Sequence, residues 1–326
     1  MPDVSVIVAA WNAERTIARA ILSACAQQGV SVEVVVVDDA STDGTAAAAA
    51  AAARATGDAR VRILRQPGNG GPAAARNAAI DVARGAWIAV LDADDALLPG
   101  RLAGLVAQAT RHKLDIVTDN MWVEDAAGTR RLFIEETLDG AMEPLALAEY
   151  VTRNRLFGPR LGDGYFKPIF AADFLRRHAL RYDTGTRIGE DFLMVAEAMT
   201  LGAAYARVRS AGYAYATGVG SISHRLSRSN VEAMIAADQR IIARHGDRLG
   251  AGEIAAWQAH LASLLDGASF VAMVDSLKAG ELGALARHAA RRPQAIRHFS
   301  MPIQARLARA GQALKRLPGA TVIGSR

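Results

Sequence analysis

A single cysteine, Cys25, stands in 326 residues, which excludes an internal disulfide framework; its place on a helical pattern marks it as core filler. No apolar run approaches the roughly 20 residues that span a bilayer. The opening MPDVSVIVAAW has neither the basic stretch nor the cleavage site of a secretory signal, so a cytoplasmic protein is expected. The first apolar segment, VIVAAWNAERT, lacks the glycine fingerprint of a dinucleotide-binding oxidoreductase. No recognised DNA-binding or RNA-binding motif accompanies the basic residues, so nucleic acid is not an expected partner.

What is present is a chain about half hydrophobic, long enough for one large domain and an appendage. Its net charge of +5 is unevenly spread. Residues 276–326 carry ten Lys or Arg against Glu281 alone, a local +9 that leaves −4 for the rest.

Up to about Asp119, strands and helices alternate. VSVIVAA, VEVVVVD, VRILRQ, WIAVLD and DIVTD are separated by helical stretches at about 14–27, through the alanine run Ala46–Ala53, at 72–84 and at 99–111. That order predicts an α/β fold with a mostly parallel central sheet flanked by helices. Ser41, Thr42 or Asp43 can cap the alanine helix. From 120 to about 225 the pattern loosens: WVEDAAGTRRLFIEE reads as a hairpin, KPIFAADFLRRHAL as a strand and short helix, and YARVRSAGYAYA as one or two late strands. Beyond Ser227 nearly everything reads as helix, giving a helical C-terminal extension.

Ligands of open parallel sheets bind beyond the carboxyl ends of the strands. There the first strand delivers Ala10, Trp11, Asn12 and Glu14, the second Asp38 and Asp39, the third GNGGPAAARN, and the fourth Asp92, Ala93, Asp94 and Asp95. Carboxylates this crowded repel unless a positive charge sits among them, and a divalent cation is the natural candidate.

The succession VSVIVAAWN, VVVDDASTDGT, NGGPAAARNAA and VLDADDALLPGRL resembles the nucleotide-sugar-binding half of the family 2 glycosyltransferases, a GT-A fold. The later GDGYFKPIF, IGEDF and GSISHRLS resemble bacterial exopolysaccharide glycosyltransferases of the succinoglycan type. The resemblance covers residues 1–225, with the nucleotide-sugar half at about 1–119 and the acceptor half at about 120–225, followed by a helical, basic extension at 226–326.

It implies a role for each motif. DADD matches the DxD motif, with Asp94 and Asp95 on Mg²⁺ or Mn²⁺ while Asp92 and Ala93 support the loop or the sugar. Without the other motifs the same residues read as a turn and helix start. Asp39 matches the carboxylate that receives the uracil ring; capping the alanine helix is its alternative. Arg76, spaced from Asn69 as in the family's pattern, would meet the diphosphate, or else be an ordinary solvated arginine; Ala79 stands where the family commonly has glycine. Asp191 resembles the general base for the acceptor hydroxyl. Side chains of consecutive helical residues diverge by about 100°, so Glu190 and Asp191 are not both expected to face the sugar. Alternatively, both complement the positive end of their helix. His224 resembles a metal or diphosphate ligand and Arg225 a leaving-group partner, though a lone histidine commonly does neither. Lys167 lies in a stretch resembling acceptor-side loops, and Asp163 and Tyr165 can hydrogen-bond or stack on sugar.

The resemblance implies a metal-dependent inverting enzyme that moves a hexose, glucose for preference, from UDP to a growing saccharide, free or lipid-linked. In IQARLARAGQALKRL an apolar stripe (Ile303, Leu307, Ala310, Leu314, Leu317) lies beside Arg306, Arg309, Lys315 and Arg316. Such a helix suits an anionic membrane surface, which would make the protein peripheral on the inner face of the cell membrane, or it packs on the catalytic domain. Two rivals remain. One is a haloacid dehalogenase-type phosphoryl-transfer enzyme with Asp92 as nucleophile, against which stand Ala96 in place of Thr and the lack of a plausible lysine partner. The other is a non-catalytic polysaccharide or membrane adaptor.

Overall fold

The valine-rich first strand, β1 (Val4–Ala10), buries Val4, Val6, Val8 and Ala10 in one core cluster and Ile7 in another, so apolar side chains on both faces of the strand are covered. In this computed structural model, which describes residues 1–57, 60–125, 127–158, 162–217 and 227–300, β1 lies between β2 (Val32–Asp38) and β4 (Trp87–Asp92). β3 (Val61–Arg65) pairs with β2, and all these pairings are parallel. Helices α1 (Ile17–Cys25), α2 (Thr45–Ala55) and α3 (Gly71–Val82) make the crossovers. α1 is shorter than the pattern predicts at both ends. Its expected first residue, Glu14, instead turns its carboxylate to the Gly44 N–H, 3.1 Å away. Asp43 serves the alanine helix α2, accepting from the Thr45 N–H at 3.0 Å. Cys25 is only half-buried.

Beyond these parallel strands the sheet takes in antiparallel partners. Along the order β3-β2-β1-β4-β9-β6-β10-β5, the three-residue β9 (Ile169–Ala171) runs antiparallel to β4 and to β6 (Ile116–Glu124). β10 (Tyr205–Ala216) is parallel to β6, and β5 (Ala96–Leu97) is antiparallel to β10. The hairpin from β6 to β7 (Arg130–Leu132) forms as the sequence predicts, and β8 (Met142–Pro144) pairs with β10. The sheet is therefore mixed. Helices α4 (Arg101–His112), α5 (Leu147–Arg153), α6 (Ala172–Arg177) and α7 (Glu190–Thr200) belong to this half.

The C-terminal helices α8 (Arg228–His245), α9 (Ala251–Lys278) and α10 (Leu282–Arg291) form as expected, and α9 packs along α5 and α8. Trp257 of α9 is fully buried in the core cluster that also holds Phe192 of α7. His260, 1% exposed, places Nδ1 2.6 Å from Asp238 of α8 and Nε2 3.2 Å from the Asn154 carbonyl. No helix among the described residues is long and apolar enough to cross a membrane. The basic stretch at 303–317 lies outside the described residues.

Candidate active site

At the carboxyl end of β4, Asp92 has both oxygens occupied: Arg76 Nη2 donates to Oδ1 at 2.7 Å and Lys167 Nζ sits 2.8 Å from Oδ2. The same two cations reach α7. Arg76 Nη1 donates to Glu190 at 2.8 Å and lies 3.1 Å from Asp191 Oδ1, while Lys167 Nζ donates to Asp191 Oδ2 at 2.6 Å. Three carboxylates and two cations thus tie β4, α3, α7 and the segment before β9 into one cluster, buried except at the half-buried Asp92. Burial opposes charge on Asp92, yet the Lys167 ammonium and the Arg76 guanidinium override it and hold the carboxyl far below the usual range. Burial likewise opposes charge on Lys167, and Asp191 and Asp92 hold its pKa well above that of an ordinary lysine. Glu190 goes the other way, raised by burial and by Asp191 beside it.

Local structure explains how these groups meet. Gly189 precedes α7 at φ 85°, a left-handed conformation that glycine adopts without strain, and this turn starts the helix at Glu190 and Asp191. The Lys167 backbone is fixed in turn, because Arg101 Nη2 donates to its carbonyl at 2.5 Å while Arg101 Nε donates to Asp119 at 2.9 Å. Tyr182 lies under Arg76, its ring centroid 5.3 Å from Cζ.

Several of these residues have partners that the sequence did not show. Arg76 is not an ordinary solvated arginine; it is 3% exposed and ion-paired to Asp92, Glu190 and Asp191. Glu190 and Asp191, though they diverge on the helix, both lie within reach of the one Arg76 guanidinium. Asp95 is not placed as a metal ligand. It is fully buried, accepting from the Tyr213 hydroxyl at 2.7 Å and from the Ala216 N–H at 2.8 Å. Burial, then Asp92 and Asp94, push its carboxyl well above the usual range. Asp39 does not cap the alanine helix; its two oxygens accept from the Gly70 and Gly71 N–H groups, 2.9 and 2.8 Å away, at the start of α3. An ionised carboxylate has about four lone-pair sites, so Asp39 keeps capacity for another donor. Asn69 donates to the Asp39 carbonyl at 3.3 Å. Asn12, at φ 49°, accepts from the Thr42 N–H at 2.9 Å and so fastens the loop after β1 to the loop after β2. Beside it Ala10 is buried and Trp11 is 50% exposed. His224 and Arg225 lie outside the described residues.

Asp94 differs from its neighbours. It is exposed, next to the buried Ala93, and forms no ion pair among the described residues. Partial desolvation and the nearby Asp92 carboxylate push its carboxyl up. Among the described residues no group of three or more His, Cys, Asp or Glu forms a metal cage. One open carboxylate nevertheless fits Mg²⁺ or Mn²⁺, which commonly take one or two carboxylates and complete their shells with substrate phosphates and water.

Sequence reasoning did not find the part Lys167 plays. It assigned the residue to an acceptor loop, whereas the ammonium stands between Asp92 and Asp191. Lys167 also supplies the lysine partner whose absence told against Asp92 as a phosphoryl-transfer nucleophile, so that objection falls and the comparison with known proteins decides.

Residues 5–167 match the family model described as "Glycosyl transferase family 2". The chain is 42% identical over 312 residues, 95% of its length and 87% of the relative's, to succinoglycan biosynthesis protein ExoO of Rhizobium meliloti. It is 38% identical over 267 residues, 79% of its length and 74% of the relative's, to succinoglycan biosynthesis protein ExoU of the same organism. Among solved structures, S. aureus TarS 1–349 in complex with UDP superposes with a TM-score of 0.58 at 18% identity, covering 89% of this chain and 91% of that one. The mixed sheet with flanking helices is that GT-A fold.

Proposed function

The chain belongs to glycosyl transferase family 2, and from that premise we propose that it is a metal-dependent, inverting hexosyltransferase of exopolysaccharide synthesis that uses a UDP-sugar. The observation that carries the reading is the bridge from the DADD loop to α7: Arg76 and Lys167 join Asp92 to Glu190 and Asp191, beside the open carboxylate of Asp94.

Charge balance supports a metal. Arg76 and Lys167 are taken up by three carboxylates, so a diphosphate arriving at Asp94 meets a negative rim. Mg²⁺ or Mn²⁺ held by Asp94 would supply the missing positive charge for the departing diphosphate. Asp39, Asn12 and Trp11 would face the nucleotide from the ends of β1 and β2. Lys167 holds Asp191 Oδ2, while Oδ1 is buried 3.1 Å from Arg76 Nη1 and accepts no hydrogen bond; in the base role an acceptor hydroxyl would enter beside Arg76 and give its proton to Oδ1. A hydroxyl held there would attack the anomeric carbon opposite the diphosphate, with inversion. The preference for glucose rests on the likeness to the succinoglycan proteins. An anionic membrane surface is the partner proposed for the basic C-terminal stretch, where a lipid-linked acceptor would be met.

The test is thermal stabilisation of the protein by UDP, GDP and dTDP sugars, with Mn²⁺ and with chelator, since a ligand that binds the native state raises apparent stability. Stabilisation by UDP-sugars that needs Mn²⁺ supports the reading. Equal stabilisation after chelation contradicts the metal, and a response to GDP or dTDP sugars alone contradicts the uridine donor.

A further inference from the structure

Tyr165 is a large aromatic side chain left 46% exposed, two residues before Lys167 in sequence, and nothing in the donor chemistry uses it. It closes a three-residue 3₁₀ turn, Asp163–Tyr165. That turn is anchored at each step. Asp163, 3% exposed, lies 3.3 Å from Arg153 Nη1, and the Gly164 N–H donates to Asn154 Oδ1 at 2.7 Å. A Cβ on Gly164 would stand 2.7 Å from Phe192 Cβ, so the backbone here abuts the residue that follows Asp191. The contact of His260 with the Asn154 carbonyl makes α9 of the C-terminal extension a support of the same turn. The Tyr165 ring rests against Phe133, centroids 5.6 Å apart, and Phe133 rests in turn on the buried Phe166 at 5.7 Å. Partial burial and the neighbouring Tyr215 raise the phenol pKa, so the hydroxyl stays a hydrogen-bond donor at neutral pH.

We propose that Tyr165, backed by Phe133, is the platform on which a pyranose ring of the acceptor saccharide lies, with the Tyr165 hydroxyl as its hydrogen-bond donor. The apolar C–H face of a pyranose matches a rigid aromatic surface, and tyrosine adds a polar handle at small entropic cost. The turn that carries Tyr165 abuts Phe192, the residue after Asp191, so a ring held on it would lie on the Asp191 side, where orienting one acceptor hydroxyl matters most. Specificity for the acceptor thus comes from the segment before β9, apart from the strand ends that face the nucleotide. The proposal rests on the glycosyltransferase reading, yet its readout does not need turnover.

The experiment is saturation-transfer NMR on the full chain with cellobiose, laminaribiose and lactose as probes, run without nucleotide and again with UDP and Mn²⁺. For wild type and Tyr165→Phe, at least one disaccharide is expected to receive saturation at its ring C–H protons. Tyr165→Ala is expected to weaken that binding about ten-fold while the thermal shift given by UDP stays unchanged, the size of a lost aromatic contact. Unchanged disaccharide signals in Tyr165→Ala, or no signal from any of the three in wild type, overturns the platform. Failure of UDP to stabilise wild type counts against the donor reading alone, since the saccharide signal is scored without nucleotide.

Discussion

Lys167 Nζ stands 2.6 Å from Asp191 Oδ2 and 2.8 Å from Asp92 Oδ2, so one ammonium joins the end of β4 to the first turn of α7. The donor-side loop and the acceptor-side carboxylate are therefore positioned by a shared contact. Lys167→Met fills the space yet leaves the buried Asp191 and the half-buried Asp92 with Arg76 as their remaining cation among the described residues. Removing one partner of a buried ion pair costs roughly 3–5 kcal/mol, and the urea midpoint should fall accordingly. An unchanged midpoint would mean the contact carries no weight in the folded state.

Asp94 is expected to matter for ligand binding and not for stability. Exposed and without an ion pair among the described residues, it should tolerate Asp94→Ala with a change within about 0.5 kcal/mol. The same variant should lose the Mn²⁺-dependent part of UDP stabilisation. Retention of that dependence would move the metal elsewhere.

Asp39 has a structural duty that sequence reasoning passed over. Asp39→Ala leaves the Gly70 and Gly71 N–H groups without their acceptor, a cost of about 1–3 kcal/mol. If Asp39 also receives the uracil ring, UDP affinity falls more than affinity for a bare pyrophosphate probe. Equal losses for both ligands would restrict Asp39 to holding the loop.

The depressed pKa of Asp92 fixes the sign of a pH dependence. A carboxyl whose folded pKa lies below its unfolded value of about 3.9 contributes stability above that value and loses it as pH falls toward the folded one. The stability difference between wild type and Asp92→Ala should stay level from pH 7 to about 5 and shrink below about pH 4. A difference that grows on acidification would contradict the pairing with Lys167 and Arg76. Urea titrations at each pH measure it.

The first four strands were legible because each is an apolar run ending in polar residues at the sheet edge where ligands gather. β5 spans two residues, too few for any periodicity to register, and although β9 was readable as a strand, its antiparallel pairing with β4 and β6 was not, and so neither was the mixed sheet. Within DADD the sequence shows three equivalent acids. Folding separates them by what each meets: Arg76 and Lys167 for Asp92, open surface for Asp94, Tyr213 and the Ala216 amide for Asp95. Tyr213 lies 118 residues from Asp95, and Lys167 is 24 from Asp191, distances at which no local pattern assigns partners. The helix start that carries Asp191 was readable locally because it follows a glycine, while the carboxylate partners of Arg76 were not, because burial and distant packing decide what an arginine meets.

The most direct measurement is saccharide transfer from UDP-glucose by wild type and Asp191→Asn, with UDP affinity determined on the same samples. Loss of the positioned base should lower transfer by about 10²–10⁴-fold while UDP binds within about two-fold of wild type. Near-normal transfer by Asp191→Asn would contradict the assignment of the base and the mechanism built on it.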